Sequence, residues 1–343
     1  MLTAANAACS QAPGQDRYPW DRRPLECFDT AKAKEPQCFP AENWPSLVMT
    51  VQRVSSLYYS GQFALLERAL QDLVSSKKRF DDGDSPAAAA YWSFRRMMPS
   101  PGADASHREI LSRWHAAMPA SIFVPFGEAR FMYANGWNAR GSGFSGSVSQ
   151  ESWELFHIRL KEAEQILVDA PAPLKDTPLW HNLMLAITQD TSRTKNKPDE
   201  VFEQAVRRWP DYYDFYEVRL TRLVPRWGGS WEQVESFIQR WSTEQSKSEG
   251  HSLYARLYAS LKDQGVTPDA TMMDWPTMRR SFEDLTKRFP VRRFKNLYAS
   301  HACFARDKAA FGAAMAKLPA YDLDHQFWLS GHSYDACMRW AGI

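Results

Sequence analysis

The eight histidines stand at positions 107, 115, 157, 181, 251, 301, 325 and 332. None belongs to an H-E-x-x-H motif or lies four residues from another, the spacing that would set two imidazoles on one helix face as metal ligands. The nearest approach to a catalytic set is His107, Glu109 and His115 with Arg140. That grouping would suit a hydrolase or a transferase. On one helix the two imidazoles, about two turns apart, are expected to share a face some 12 Å apart, too far for a single metal without another segment. Residues 331–337 (Gly-His-Ser-Tyr-Asp-Ala-Cys) set a histidine beside a serine and a cysteine. Triad members come together from distant segments, however, so this stretch reads as a helix start capped by Ser330 or Ser333.

Two further motifs invite a ligand and fall short of one. Residues 141–146 fit G-x-G-x-x-G, but a dinucleotide site needs a strand in front of it. Here Ala129, Met132, Tyr133, Gly136 and Trp137 recur at helical spacing, so Gly141 is expected to cap a helix and open a loop. Asp81-Asp82-Gly83-Asp84 lacks the order and the closing glutamate of a calcium loop and reads as a solvated turn. No cofactor and no metal are expected.

Aromatic and arginine residues point instead to recognition. Leu223-Val224-Pro225-Arg226-Trp227-Gly228-Gly229-Ser230-Trp231-Glu232 holds two glycines, two tryptophans and a capping box from Ser230 to Gln233. It reads as a corner between helices whose indoles pack beneath their neighbours, or as a rim that grips a partner. Trp and Arg dominate interface energetics, so the partner-binding candidates are Trp137, Arg140, Phe144, Arg226, Trp227 and Trp231.

The five cysteines are Cys9, Cys27, Cys38, Cys303 and Cys337, with no C-x-x-C pair. Two local disulfides, Cys27 with Cys38 and Cys303 with Cys337, plus a spare thiol is one scheme; five reduced, partly buried thiols is the other. Ala5-Asn6-Ala7 fits the small-x-small cleavage rule, so residues 1–8 look like the tail of a signal peptide behind an added Met. This favours a periplasmic or secreted bacterial protein, with a cytoplasmic one as the alternative.

These residues need elements to hold them. The 343 residues contain 41 Ala and 26 Leu against 14 Val and 7 Ile, and β-branched side chains are what strands prefer, so the bias is helical. A net charge of +2 argues against a dedicated nucleic-acid binder, and no apolar run approaches a membrane span. Residues 1–44 are expected to form an extended N-terminal arm, anchored by Trp20, Phe28, Phe39 and Trp44. From about residue 45 the period is helical almost throughout. Leu47, Val51, Val54, Leu57 and Tyr58 share one face, Gly61 breaks, and Phe63, Leu66, Leu70 and Leu73 start again, running to Lys77-Lys78-Arg79. Ser85-Pro86 opens the next helix. Further helices are expected near 106–117, 126–139, 150–169, 178–189, 198–209, 212–223, 230–245, 250–263, 275–288, 292–305, 307–317 and 326–340. Phe202-Glu203-Gln204-Ala205-Val206-Arg207-Arg208-Trp209-Pro210 is echoed in type 80 residues later by Phe282-Glu283-Asp284-Leu285-Thr286-Lys287-Arg288-Phe289-Pro290.

Trp137-Asn138-Ala139-Arg140-Gly141-Ser142-Gly143-Phe144, then Trp153 and Phe156, then Pro225-Arg226-Trp227-Gly228-Gly229-Ser230, resemble the bacterial domain-of-unknown-function family 4034, from about residue 45 to 340. The resemblance implies an all-helical, tetratricopeptide-like fold and supplies no activity or catalytic residue. The expectation is therefore an all-α chain: stacked helical hairpins over residues 45–343 forming a curved, tetratricopeptide-like solenoid. Its expected work is non-enzymatic binding of another protein or peptide in the bacterial envelope, for instance as an immunity or adaptor protein for a secreted effector. An enzyme built around His107, or a small-ligand binder, is the alternative.

Overall fold

The computed structural model describes residues 25–28, 37–40, 47–99, 102–191 and 196–343. The expected signal-peptide tail, Cys9 and the side chains of Cys27 and Cys38 lie outside the described residues. The backbone there forms one antiparallel ladder, β1 (Leu25–Phe28) with β2 (Gln37–Pro40), in which Cys27 is registered opposite Cys38. The rest of the described chain is helical or connects helices, so the fold is all-α.

The chain divides into two compact units: Met1–Phe80 with Ser85–Trp180, and Asp81–Asp84 with His181–Ile343. The first contains α1 (Leu47–Tyr59), α2 (Phe63–Ser75), α3 (Pro86–Met97), α4 (Asp104–Ala117), α5 (Phe123–Arg140), α6 (Gln150–Asp169), the single turn α7 (Ala172–Lys175) and the start of α8 (Pro178–Thr191). Lys77, Lys78 and Arg79 fall beyond the end of α2 and so do not sit in its last turn. Ser85 caps α3 by accepting from the Ala87 amide, and Pro86 follows at the first helical position, where a missing N–H costs nothing. The core gathers around Trp114, fully buried between the Phe63 and Phe94 rings, each with its centroid 6.2 Å away. A buried indole needs a partner for its N–H; Trp114 Nε1 donates to Glu67 Oε1 at 2.8 Å.

The second unit takes the remainder of α8 and then α9 (Asn196–Arg208), α10 (Asp214–Thr221), α11 (Trp231–Glu244), the turn α12 (Ser246–Glu249), α13 (Ser252–Asp263), α14 (Trp275–Arg288), α15 (Arg292–Phe304), α16 (Lys308–Met315) and α17 (Tyr334–Ala341). The sequence echo is structural at close range. Helices α9 and α14 end at Arg208 and Arg288, and the next amides, Trp209 and Phe289, donate back to Ala205 and Leu285 at 2.9 and 2.8 Å. Phe202 and Phe282 are both buried, and each meets a tyrosine of the following helix, Tyr216 or Tyr298. Glu235 of α11 is buried but satisfied, accepting from the Tyr254 hydroxyl at 2.9 Å and from Tyr258, both on α13.

Two expectations need correction in this unit. The single helix expected at 326–340 is broken: a 3-10 turn at His325–Phe327, then Gly331 at φ +77°, precede a helix that starts only after Ser333. The acidic turn Asp81–Asp84 is not merely solvated. Arg256 donates to Asp84 Oδ1 at 3.2 Å and to the Asp82 carbonyl, while its guanidinium lies 3.9 Å from the Tyr213 ring centre. A buried guanidinium between aromatic faces and a carboxylate is a strong clamp, and it holds the turn within the second unit.

Candidate functional site

Helices α5 and α6, the two longest of the described helices, pack against each other as a hairpin in the first unit. The Ser121 hydroxyl accepts from the Phe123 and Val124 amides at 3.0 and 3.1 Å and so caps the start of α5. Pro125 then sits in the first turn, where its missing N–H leaves no bond unmade. Gly136 lets the two helices touch: a Cβ there would stand 2.4 Å from Leu160 Cδ1 and 3.2 Å from the Phe156 carbonyl oxygen. Helix α5 ends at Gly141, whose φ of +73° suits glycine alone among common residues, with its N–H bonded to the Trp137 carbonyl at 2.9 Å. Helix α6 opens under Ser149, which accepts from the Ser152 amide at 3.1 Å.

Arg140 organises the turn between them. It is buried, and its guanidinium lies 5.3 Å from the Trp137 ring centre and 5.0 Å from that of Trp153. From between the indoles Nη1 donates to the carbonyls of Gly141 and Gly143, both at 3.0 Å. The Phe144 carbonyl then accepts from the Ser147 amide and hydroxyl at 2.9 and 2.8 Å. The backbone of the loop is thereby fixed, yet the Phe144 ring at its tip is 79% exposed. Solvent-facing aromatics on a backbone held in place are the anchors that interfaces use, because little freedom remains to be lost on binding.

The helical period sorts α6 into faces. Phe156, Leu160, Ala163 and Leu167 form the buried stripe. Leu155 and Ile158 lie off that stripe and are 40% and 53% exposed. Farther along the same face is a groove of about 600 Å³, with Pro125 and Met132 of α5 on one wall and Arg159, Glu162 and Ile166 on the other. Ala170 and Pro171 close its end. Its lining is mostly apolar, with the charged groups of Arg159, Glu162 and Asp169 among the lining residues.

The remaining candidates lie in the second unit. Trp227, half-buried, is flanked by Arg222 at 4.3 Å and Arg226 at 5.8 Å from its ring centre. Arg222 is ion-paired with the buried Asp190. Gly229 passes so near the Leu223 carbonyl that a Cβ would fall 1.9 Å from its oxygen, so this glycine is required by the turn. Ser230 accepts from the Gln233 amide at 3.3 Å, and Trp231 begins α11, half-buried. This is a packed inter-helix corner from which Arg226 reaches solvent.

The histidine grouping does not assemble. His107 is buried, with Nδ1 3.1 Å from the Tyr58 hydroxyl and its ring against Phe131. Glu109 and His115 are exposed on the outer side of α4, and Arg140 is committed to the turn of the α5/α6 hairpin. Eight residues along a helix amount to two turns and almost a quarter of a third, which is enough to put one imidazole inside and the other outside. Among the described residues no three His, Cys, Asp or Glu side chains converge as metal ligands. Cys337 is joined to Cys303, and Ser333 caps α17, so neither stands as a nucleophile.

Of the six partner-binding candidates, Trp137, Arg140 and Phe144 come together at this turn, where Trp153, quoted above only for the resemblance, joins them; Leu155, Ile158 and the groove residues were not among the candidates. The signal was present: α6 carries two apolar stripes, and one is enough to hold a helix to a core. No protein-family model, curated protein or solved structure matches the chain.

Proposed function

We propose that this protein is a non-enzymatic binding module that grips a segment of another protein along the open face of the α5/α6 hairpin. The observation that carries the reading is the apolar groove of about 600 Å³, continued along α6 by solvent-facing Leu155 and Ile158. Soluble surfaces seldom leave large aliphatic side chains aligned in this way without a use for them. The fixed loop that displays Phe144 at the turn of the same hairpin adds an anchor. On this reading the hairpins act as tetratricopeptide-like repeats, whose work is to present such surfaces. The Cys303–Cys337 bond is compatible with an oxidising compartment, and in an envelope or secreted setting an immunity or adaptor role would fit.

The test compares the tagged chain with Met132→Glu and Phe144→Ala in its native host, using Val48→Glu, an exposed site on α1, as control. A stoichiometric partner recovered by wild type and control but lost with Met132→Glu supports the reading. A partner retained by both hairpin variants contradicts it. Val48 is 63% exposed, so the control leaves the core untouched.

A further inference from the structure

The open face of α6 has a charge that selects its occupant. At 100° per residue, Glu151, Leu155, Ile158, Glu162 and Asp169 fall on one side of the helix, with Glu154 on its flank. Glu151, Glu154, Glu162 and Asp169 are all exposed there, against the guanidinium of Arg159 and, on the same flank as Glu154, the exposed ammonium of Lys161. That arginine is already bonded to Glu162 at 2.7 Å. Glu154 and Asp169 accept only from the neutral amides of Gln150 and Gln165, at 3.0 and 2.9 Å. The result is an apolar strip edged by four carboxylates against two cations, Arg159 and Lys161, which leaves the edge acidic.

Resting on the docking role above, we infer that the occupant is a basic amphipathic helix of a partner protein. Its apolar side lies on Ile158, Met132 and Ile166, and its lysines or arginines meet Glu154, Glu162 and Asp169. From Leu155 to Asp169 the helix rises about 21 Å, so a partner helix of about 14 residues spans the face. Like charges set against this edge would be repelled, which separates basic from acidic partners as well as strengthening the fit. Helix-in-groove recognition of this kind reads apolar anchors at i, i+3, i+4 and i+7.

The test uses two fluorescein-labelled peptides of about 15 residues. They share leucines at that spacing and differ in carrying lysine or glutamate at every other site. Fluorescence anisotropy against the intact chain is expected to show the lysine peptide binding at least tenfold more tightly. Raising the salt concentration is expected to narrow that difference. Glu162→Lys with Asp169→Lys, exposed changes that leave the core alone, is expected to weaken the lysine peptide at least tenfold; Met132→Glu is expected to abolish binding. Equal binding of both peptides, lost in Met132→Glu, overturns the basic occupant while leaving the docking face standing. Failure of the lysine peptide to bind overturns the proposal, and the native-partner comparison then judges the docking role separately. A dimer of the chain alone, dissociated by Met132→Glu in sedimentation, would give the face to a second copy and likewise overturn it.

Discussion

The guanidinium of Arg140 lies 5.0 Å from the centre of the Trp153 ring, and through that contact the last residue of α5 reaches the first turn of α6. Because the same guanidinium bonds two loop carbonyls, the stack and the loop are one unit. Arg140→Ala and Trp153→Ala are each expected to lower stability by about 1–3 kcal/mol. Their double variant should lose less than the sum, since both remove one contact. Urea unfolding measures the energies. Faster amide exchange at Ser147 in Arg140→Ala would show that the loop loosens with them.

Close packing at one glycine and open space at another give opposite expectations for the same substitution. Gly136→Ala drives a methyl group against Leu160 and the Phe156 carbonyl. Overpacking of about 1–3 kcal/mol outweighs a helix-propensity gain of at most about 1 kcal/mol, so the net effect is destabilising. Gly312→Ala, inside α16 with nothing within 4 Å of the new Cβ, should stabilise by up to about 1 kcal/mol. Thermal unfolding of the two variants in parallel checks both signs.

The Cys303–Cys337 bond ties α17 to α15 across a sequence separation of 34. Loop-closure entropy puts its contribution at about 4 kcal/mol. Cys337→Ser, or reduction, is expected to lower the unfolding free energy of the second unit by up to that amount and to expose the amides of α17 to exchange first. Mass spectrometry before and after thiol labelling verifies that the bond is present in the isolated protein.

His301 is buried, and burial lowers its pKa from 6.5 to about 4, in spite of a hydrogen bond from the ring to the Leu297 carbonyl. The unfolded chain takes up the proton more readily than the folded one. The stabilising effect of the neutral ring is therefore whole above about pH 6.5 and is lost as pH falls toward 4, by about 3 kcal/mol. His301→Leu should flatten the acid limb of stability against pH between those values. Denaturant unfolding at a series of pH values reads the change in slope.

Local capping explains which elements were legible in the sequence. Helices α6 and α14 start and stop where the spacing placed them, because Ser149 and Asp274 accept from the amides that open each helix. The C-terminal stretch misled because Trp328 and Leu329 are apolar and buried, while the break depends on a positive φ at Gly331 that hydrophobic spacing does not report. In the same way, Arg140 and Phe144 announced themselves by type. Leu155 and Ile158 did not, since an aliphatic residue on an amphipathic helix looks like core until the other stripe is seen to fill that place. The clamp of Arg256 on Asp82 and Asp84 joins residues more than 170 positions apart, and no local pattern carries that.

The docking face is tested most directly by replacing Ile158 or Phe144, one at a time, with photoreactive benzoylphenylalanine in the native host, with Val48 as the control site. Irradiation is expected to join the chain to one partner protein from both hairpin positions and not from the control. A partner captured at the control site while Ile158 and Phe144 yield no adduct would contradict the assignment of this face.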